Sequence, residues 1–374
     1  MKKDHIYRSR FLVILPIGVL FSLLVFSKSY KINNNFDHKL NSEIENKTTR
    51  LQLPNAVDNK QRGAHVFGYL DSTNLRPFIQ NNFDWITMVS YGVQDDYDSP
   101  TMGDNRGDSL EVVRRESIWK GQIDIAHSSG FKVFMKPHVW VHNTSGGKWR
   151  SDIFPANEDN WKLWENNYRE YILLYANIAA QNNVEMFCIG TELSRLSVEK
   201  TDFWEDLIRE VRTIYSGKIT YAANWNTEFE EITFWDKLDY IGIQAYFPLV
   251  RNKYPTVEQL SKGWDKYSPA MEAIHKKYNL KILFTEMGYK STADSAIEPW
   301  EWIENYSNAD QLVSTETQAN CYRAFFNTIW RKEWFAGVHI WQLRSDYGAN
   351  GLKNKMDFTP QGKPAENVIA KGFE

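Results

Sequence analysis

Eight short apolar segments alternate with segments of helical periodicity along most of this 374-residue chain. The apolar segments are rich in β-branched and aromatic residues and end in polar residues or glycine, which is typical of buried parallel strands. No Gly-rich phosphate-binding motif accompanies them, which disfavours a doubly wound nucleotide-binding sheet. We therefore predict an α/β fold, a (β/α)8 TIM barrel built as a single domain. The predicted strands are Gly63–Tyr69, Trp85–Tyr91, Lys132–Val139, Val184–Ile189, Ile219–Trp225, Tyr240–Tyr246, Ile282–Tyr289 and Ala336–Gln342.

The segments between these strands carry apolar residues at helical spacing. In the longest of them, aromatic residues recur at intervals of three or four positions from Trp161 to Tyr175. We interpret this stripe as core packing, because one face of a helix in a barrel must be buried against the strands. The predicted helices are Leu75–Asn81, Glu111–Ser128, Asn157–Gln181, Asp202–Tyr215, Glu228–Lys237, Val257–Tyr278, Thr315–Lys332 and Ala365–Lys371.

The N-terminal residues 1–30 have the pattern of an export signal. Four basic residues precede an apolar run at 11–26, and the residues Ser-Lys-Ser-Tyr at 27–30 offer no clear small-x-small cleavage site. A positive region followed by an apolar run directs a chain to the membrane, so we expect the protein to be exported. We favour an uncleaved membrane anchor over a cleaved signal peptide, because no clear cleavage site follows the run.

The following residues, 31–62, are rich in Asn, Lys and Glu and contain few aromatic residues. A segment of this composition cannot bury enough apolar surface to fold alone. We predict a flexible tether here, followed by a catalytic barrel over 63–374.

Composition excludes several classes of function. The net charge is −3 and no long basic block is present, so the chain lacks the charge pattern of a nucleic-acid-binding protein. Two cysteines, Cys188 in a predicted strand and Cys321 in a predicted helix, are too few for a disulfide framework. His138 and His142 are four residues apart but lie on a strand and its loop without an HExxH context, so we predict no metal site. We predict no cofactor, and the oligomeric state stays open.

The chain is unusually aromatic, with 15 Trp, 19 Tyr and 21 Phe. Core packing accounts for most of these side chains. Flat rings in an open cleft also stack on the apolar faces of sugars, so this composition favours a carbohydrate ligand.

Two glutamates stand at equivalent positions in two predicted strands. Glu192 and Glu286 each follow a threonine where an apolar strand ends. The carboxyl ends of barrel strands meet at one face, so the two carboxyl groups are expected to share a site. Glycosidic bond cleavage needs one protonated carboxyl group and one carboxylate, about 5 Å apart for retention of configuration and about 6.5 to 9.5 Å apart for inversion. The sequence leaves this separation open.

Several motifs are similar to those of glycoside hydrolase family 113, within the clan of retaining barrel glycosidases. The resemblance covers about 63–373 and implies hydrolysis of β-1,4-mannan, with Glu192 as the acid/base and Glu286 as the nucleophile. Many members of the wider clan have Asn before the acid/base, where this chain has Thr191, so the group that holds the sugar 2-hydroxyl is left unassigned. The matching motifs are Lys136–Val139, Gly190–Leu193, Tyr246, Thr285–Gly288, His339–Gln342 and Phe358–Ala365.

Other residues at predicted strand ends are candidates for binding a polysaccharide or oligosaccharide substrate. A phenol or an amine near Glu286 could orient its carboxylate, a histidine could hold a sugar hydroxyl, and indoles could form platforms for sugar rings. Plain packing remains the alternative for each of them. The candidates are Lys136, His138, Trp225, Tyr246, Trp341 and Tyr91, the last in a loop region rich in aspartate.

Two further readings of the whole chain stay open at this point. One is a hydrolase of another β-glycan, such as a glucan, galactan or xylan, which would differ only in its loops. The other is a non-catalytic carbohydrate-binding barrel at the cell surface, since a fold does not guarantee an activity. The presence of both glutamates favours the enzyme.

Overall fold

The computed structural model describes residues 58–71, 73–103, 109–302, 312–345, 347 and 356–374. The chain divides into Met1–Thr49 and Arg50–Glu374, and every described residue belongs to the second unit. The predicted anchor and nearly all of the predicted tether therefore lie outside the described residues. Within the described ranges, no helix is both long and apolar enough to cross a membrane.

Eight parallel strands close into a barrel with helices between them, which confirms the predicted (β/α)8 fold. The barrel order is β1-β11-β10-β9-β8-β7-β5-β2, and each neighbouring pair is parallel. The strands in chain order are β1 (Gln61–Phe67), β2 (Trp85–Met88), β3 (Tyr91–Gln94), β4 (Met102–Gly103), β5 (Lys132–Met135), β6 (His138–Val141), β7 (Met186–Thr191), β8 (Lys218–Asn224), β9 (Tyr240–Gln244), β10 (Ile282–Met287) and β11 (Phe335–Arg344).

Two predicted strands are each divided in the structure. After β2 and β5 the chain leaves the barrel, and β3 and β6 pair in parallel in a three-stranded sheet with β4. The division after β5 falls at Pro137, which has no backbone N–H with which to continue the strand ladder. The flanking amides still bond to the neighbouring segment, Lys136 N to Met88 O at 2.9 Å and His138 N to Ser90 O at 2.8 Å. His138 therefore begins a separate strand instead of ending the barrel strand.

The described helices lie close to their predicted positions, with two divisions. The predicted helix over Glu228–Lys237 consists of a short helix at Glu228–Glu231 and a 3-10 turn at Phe234–Lys237. The predicted helix over Thr315–Lys332 ends at Asn327, and a 3-10 turn follows at Ile329–Arg331. The Thr328 hydroxyl between them donates to Ala324 O at 2.7 Å, a local bond that competes with helix continuation. The helices are α1 (Arg76–Gln80), α2 (Ser109–Ser128), α3 (Glu158–Gln181), α4 (Ser194–Glu199), α5 (Thr201–Ile214), α6 (Glu228–Glu231), α7 (Val257–Tyr278), α8 (Thr315–Asn327) and α9 (Pro364–Gly372).

Two apolar layers hold the barrel together. The larger lies between strands and helices and includes the aromatic stripe of α3, which is buried as predicted. Its helix begins at the Asn157 side chain, which accepts a hydrogen bond from Asn160 N. The smaller layer fills the barrel interior from alternate strand positions and consists of Trp85, Phe134, Met186, Cys188, Ala222, Leu283 and Ala336.

Candidate active site

Glu286 lies near the carboxyl end of β10 and is 4% exposed. Each of its carboxylate oxygens accepts a hydrogen bond. Lys136 Nζ donates to Oε1 at 2.6 Å, and the Tyr246 hydroxyl donates to Oε2 at 2.8 Å. These two donors fix the plane of the carboxylate, so Lys136 and Tyr246 stand beside Glu286 as two of the sequence candidates.

Lys136 is fully buried at the end of β5 and serves several acceptors. Besides Glu286, its ammonium group donates to Gln244 Oε1 at 2.9 Å and to the Thr285 carbonyl at 3.2 Å. Burial lowers the pKa of Lys136, and the negative charge of Glu286 opposes that change. A cation is therefore held against one face of the carboxylate by bonds to β9 and β10.

Glu192 follows β7 directly and has a left-handed backbone conformation, with φ at 53°. Its amide donates to Ala222 O on β8 at 2.9 Å, and its side chain is 15% exposed. Burial raises the pKa of Glu192 to about 7, and the Arg150 guanidinium opposes the rise. The charge of Glu286 raises it further, which places the two carboxyl groups in one electrostatic environment. A carboxyl group with this pKa can both release and accept a proton near neutral pH.

His138 and Arg150 form a pair that connects the two glutamates. Arg150 Nη1 donates to His138 Nδ1 at 2.8 Å, and Arg150 Nε lies 3.7 Å from Glu192 Oε2. His138 Nε2 lies 3.7 Å from Glu286 Oε1 and has no hydrogen-bond partner in the described part of the chain. Burial lowers the pKa of His138 well below its usual value, which favours the neutral ring. Because Nδ1 accepts the hydrogen bond from Arg150, the ring proton lies on Nε2.

His65 is a second histidine against the same carboxylate oxygen. It is fully buried on β1, and its Nε2 lies 3.6 Å from Glu286 Oε1 and 3.2 Å from Lys136 Nζ. Burial lowers the pKa of His65 well below its usual value, with the Lys136 charge adding to the effect. Lys136, His65 and His138 therefore surround Glu286 Oε1 on three sides.

The remaining candidates differ in how far they are from this group. The buried Trp341 packs its edge against His65, with ring centroids 5.1 Å apart, and the exposed Tyr91 packs against His138 at 5.6 Å. Trp225 is partly buried and stacks on Trp300, with ring centroids 5.1 Å apart and planes at 21°. One face of Trp225 is thus covered, whereas Trp300 is 39% exposed.

The sequence matches the model of Glycoside Hydrolase Family 113 over residues 66–363. The chain belongs to this family. Family 113 membership makes the protein a glycoside hydrolase, consistent with two carboxyl groups at the carboxyl ends of barrel strands.

Solved structures of family 113 proteins resemble this one along nearly their whole length. A complex structure described as a GH113 β-1,4-mannanase is 26% identical, with a TM-score of 0.70, and the match covers 84% of this chain and 98% of that one. The GH113 β-mannanase AaManA from Alicyclobacillus acidocaldarius, in complex with ManMIm, is 25% identical, with a TM-score of 0.70. That match covers 84% of this chain and 97% of the AaManA chain. A β-glucuronidase from Ruminococcus gnavus, 12% identical with a TM-score of 0.54, shares the fold alone. No match is found among curated proteins.

Sequence reasoning about this family 113 protein missed two side chains beside the glutamates, Arg150 and His65, and a third, Trp300, that stacks on Trp225. Arg150 lies in a 3-10 turn of a tryptophan-rich loop, and nothing in its local pattern separates it from a solvated arginine. His65 lies in a predicted strand, where a histidine among apolar residues could have indicated an inward-facing polar group. Trp300 lies in the segment after β10, where only the aromatic composition pointed to a sugar contact.

Proposed function

We propose that this family 113 protein is a retaining β-glycoside hydrolase that cleaves β-1,4-mannosidic bonds in mannan or manno-oligosaccharides by double displacement. The observation that carries the proposal is the contrast between its two glutamates. Glu286 is held by an ammonium group and a phenol, whereas Glu192 is partly exposed and has a pKa of about 7. One is suited to act as a nucleophile and the other as a proton donor.

In the first half of the reaction, Glu286 attacks the anomeric carbon while Glu192 donates its proton to the leaving glycosidic oxygen. Lys136 and Tyr246 hold the nucleophile in one orientation, which supports attack from a fixed direction. As the glycosyl–enzyme ester forms, negative charge leaves Glu286, and the hydrogen bonds from its two donors weaken. The neutral His138, with its free Nε2–H, is suited to donate to a sugar hydroxyl beside Glu286.

In the second half, Glu192 is a carboxylate and removes a proton from water, which attacks the anomeric carbon and releases Glu286. The nearby Arg150 cation stabilises Glu192 in this ionised form. A pKa of about 7 lets Glu192 alternate between the two forms without a large energetic penalty for either.

The mannan assignment is supported by the similar solved structures, which are described as β-1,4-mannanases at 25% to 27% identity. The test is to incubate the full-length protein with mannan, manno-oligosaccharides, a β-glucan, a galactan and a xylan, and to measure new reducing ends. We expect products from the mannan substrates. Products from another glycan alone would overturn the mannan assignment and keep the glycosidase.

We also propose that the protein is exported and held at the outer side of the cytoplasmic membrane by residues 1–30. The supporting observation is the basic region and the apolar run at 11–26, with no clear small-x-small cleavage site after it. Cell fractionation followed by N-terminal sequencing tests this localisation. Full-length protein in the membrane fraction is the expected result, full-length protein in the cytoplasm would contradict export, and a soluble form starting near residue 30 would contradict the anchor.

A further inference from the structure

A third glutamate acts electrostatically on Glu192 without belonging to the catalytic pair. Glu228 begins α6 and is 1% exposed. Its hydrogen-bond partners within the described residues are hydroxyl groups and a backbone amide. Oε1 accepts from the Tyr221 hydroxyl at 2.6 Å and from the Ser197 hydroxyl at 2.7 Å. Oε2 accepts from Asn224 N at 2.6 Å and from the Ser194 hydroxyl at 2.8 Å.

These donors come from the elements around Glu192. Asn224 and Tyr221 lie on β8, next to β7 in the barrel, and the two serines lie on α4, which begins two residues after Glu192. The Tyr221 hydroxyl also accepts a hydrogen bond from Leu193 N at 2.8 Å. Since its own proton is donated to Glu228, the phenol oxygen can present a lone pair to that amide. Glu228 is thus linked through one side chain to the residue that follows Glu192.

The backbone at Glu192 needs such support. Its left-handed conformation is unfavourable for a residue with a side chain by roughly 1 kcal/mol or more, and it persists only where neighbours determine it. Two bonds to β8 do so here, from Glu192 N to Ala222 O and from Leu193 N to Tyr221. Gly190 lets β8 and α5 approach closely, because a Cβ there would lie 2.7 Å from the Tyr221 ring and 2.8 Å from Trp204.

We propose that Glu228 is a positioning residue for the acid/base, which holds the turn at Glu192 through Tyr221 and places a negative charge behind it. This inference rests on the acid/base role proposed above for Glu192. Burial raises the pKa of Glu228, but its four donors favour the ionised form. The groups that act on Glu192 are then Arg150 and Lys136, which lower its pKa, and Glu286 and Glu228, which raise it.

The test compares Glu228→Gln and Tyr221→Phe with the wild type, in the full-length protein. The substitution at Glu228 removes the charge. The amide oxygen can still accept from Asn224 N, but the amide NH2 then faces the Tyr221 and Ser197 hydroxyls, which lose their acceptor. Tyr221→Phe keeps the charge of Glu228 and removes the phenol link, both its bond to Glu228 Oε1 and its bond from Leu193 N. Glu185→Gln is the matched control, since Glu185 also accepts a backbone amide, Val133 N at 2.8 Å, but precedes the other end of β7.

We expect kcat/KM for manno-oligosaccharides to fall about tenfold in both variants, because losing one oriented hydrogen bond has an effect of this size on the barrier. The rate of the first step with an aryl β-mannoside carrying a good leaving group should stay close to that of the wild type, because that step needs no acid. In Glu228→Gln the basic limb of the kcat/KM profile should move to lower pH, because a negative charge near Glu192 is gone. In Tyr221→Phe and in Glu185→Gln the limb should stay in place.

An unchanged limb and unchanged kcat/KM in Glu228→Gln would overturn the proposal. An equal loss of the first-step rate with the aryl mannoside and of oligosaccharide turnover, with a lowered Tm, would also overturn it, because this is what general unfolding produces. If Glu228→Gln does not fold, Tyr221→Phe is the test: its kcat/KM for manno-oligosaccharides should fall while its reaction with the aryl mannoside is retained, and equal loss on both substrates would overturn the proposal. Failure of the acid/base role itself is recognised separately: Glu192→Ala would then retain wild-type oligosaccharide turnover, whatever the other variants do.

Discussion

The Arg150 guanidinium donates to Nδ1 of His138 over 2.8 Å, which leaves the Nε2 proton of that ring directed toward the nucleophile side of the site. The same guanidinium lies 3.7 Å from Glu192 through Nε. One arginine therefore sets the tautomer of a histidine beside one glutamate and the electrostatics of the other. Because of these two contacts, removing Arg150 should change the pH dependence of activity, whereas removing an ordinary surface ion pair should not.

Replacing Arg150 with methionine should move the basic limb of the kcat/KM profile to higher pH. The arginine lowers the pKa of Glu192, which is about 7, so without the cation Glu192 keeps its catalytic proton to higher pH. The rate at the optimum should fall about tenfold as His138 loses its partner. Arg169→Met, which removes ion pairs with Glu165 and Glu210 on the helices outside the barrel, should leave the profile in place. A downward movement of the limb would contradict this electrostatic account.

Glu286→Ala should lower the turnover rate by several powers of ten, because no covalent glycosyl–enzyme can form. The expected barrier increase is at least about 5 kcal/mol. Azide should restore cleavage of an aryl glycoside and give the α-glycosyl azide, identified by NMR of the product. A β-azide from this variant would exchange the proposed roles of the two glutamates.

Glu192→Ala should fail at a different stage. An aryl glycoside with a good leaving group needs no acid for the first step, so we expect a burst of phenol followed by slow turnover. Azide should accelerate the second step and give the β-glycosyl azide. Stopped-flow absorbance measures the burst, and its absence together with near-normal steady-state activity would contradict the assignment.

Trp300→Ala should weaken binding of long substrates more than short ones. Trp300 covers one face of Trp225 and is itself 39% exposed, so it offers a ring face on the segment after β10. We expect KM for longer manno-oligosaccharides to rise by about three- to tenfold, the usual contribution of one aromatic contact, with little change for an aryl mannoside. Leu163→Ala, at an exposed position on α3, is the control. Equal effects on long and short substrates would indicate a purely structural role for Trp300.

The fold was predictable because the sequence patterns that specify it are local and recur along the chain. Strand and helix periodicities alternate, and a buried parallel barrel needs little else from the sequence. The division of the strand at Pro137 could also have been predicted, since a proline cannot continue a central ladder. The position of the two glutamates at strand ends likewise followed from where each apolar run stops.

The electrostatic partners were not predictable in the same way. Arg150 reaches His138 and Glu192 because a loop with no periodicity folds back over the barrel, and loop paths depend on tertiary contacts. The left-handed turn at Glu192 depends on bonds to β8, which the local sequence does not contain. Stacking of Trp300 on Trp225 joins residues far apart in the chain, so each had to be considered alone.

The three-stranded sheet outside the barrel gives part of the proposed binding surface a different physical character from a loop. Tyr91 on β3 is paired directly with His138 on β6, so both are carried on a backbone ladder that is formed on folding. The conformational entropy of this surface is therefore lost once, before any sugar arrives. A sugar ring that contacts Tyr91 or His138 would meet a preorganised surface. The favourable enthalpy of that contact is then not reduced by a loss of backbone conformational entropy on binding.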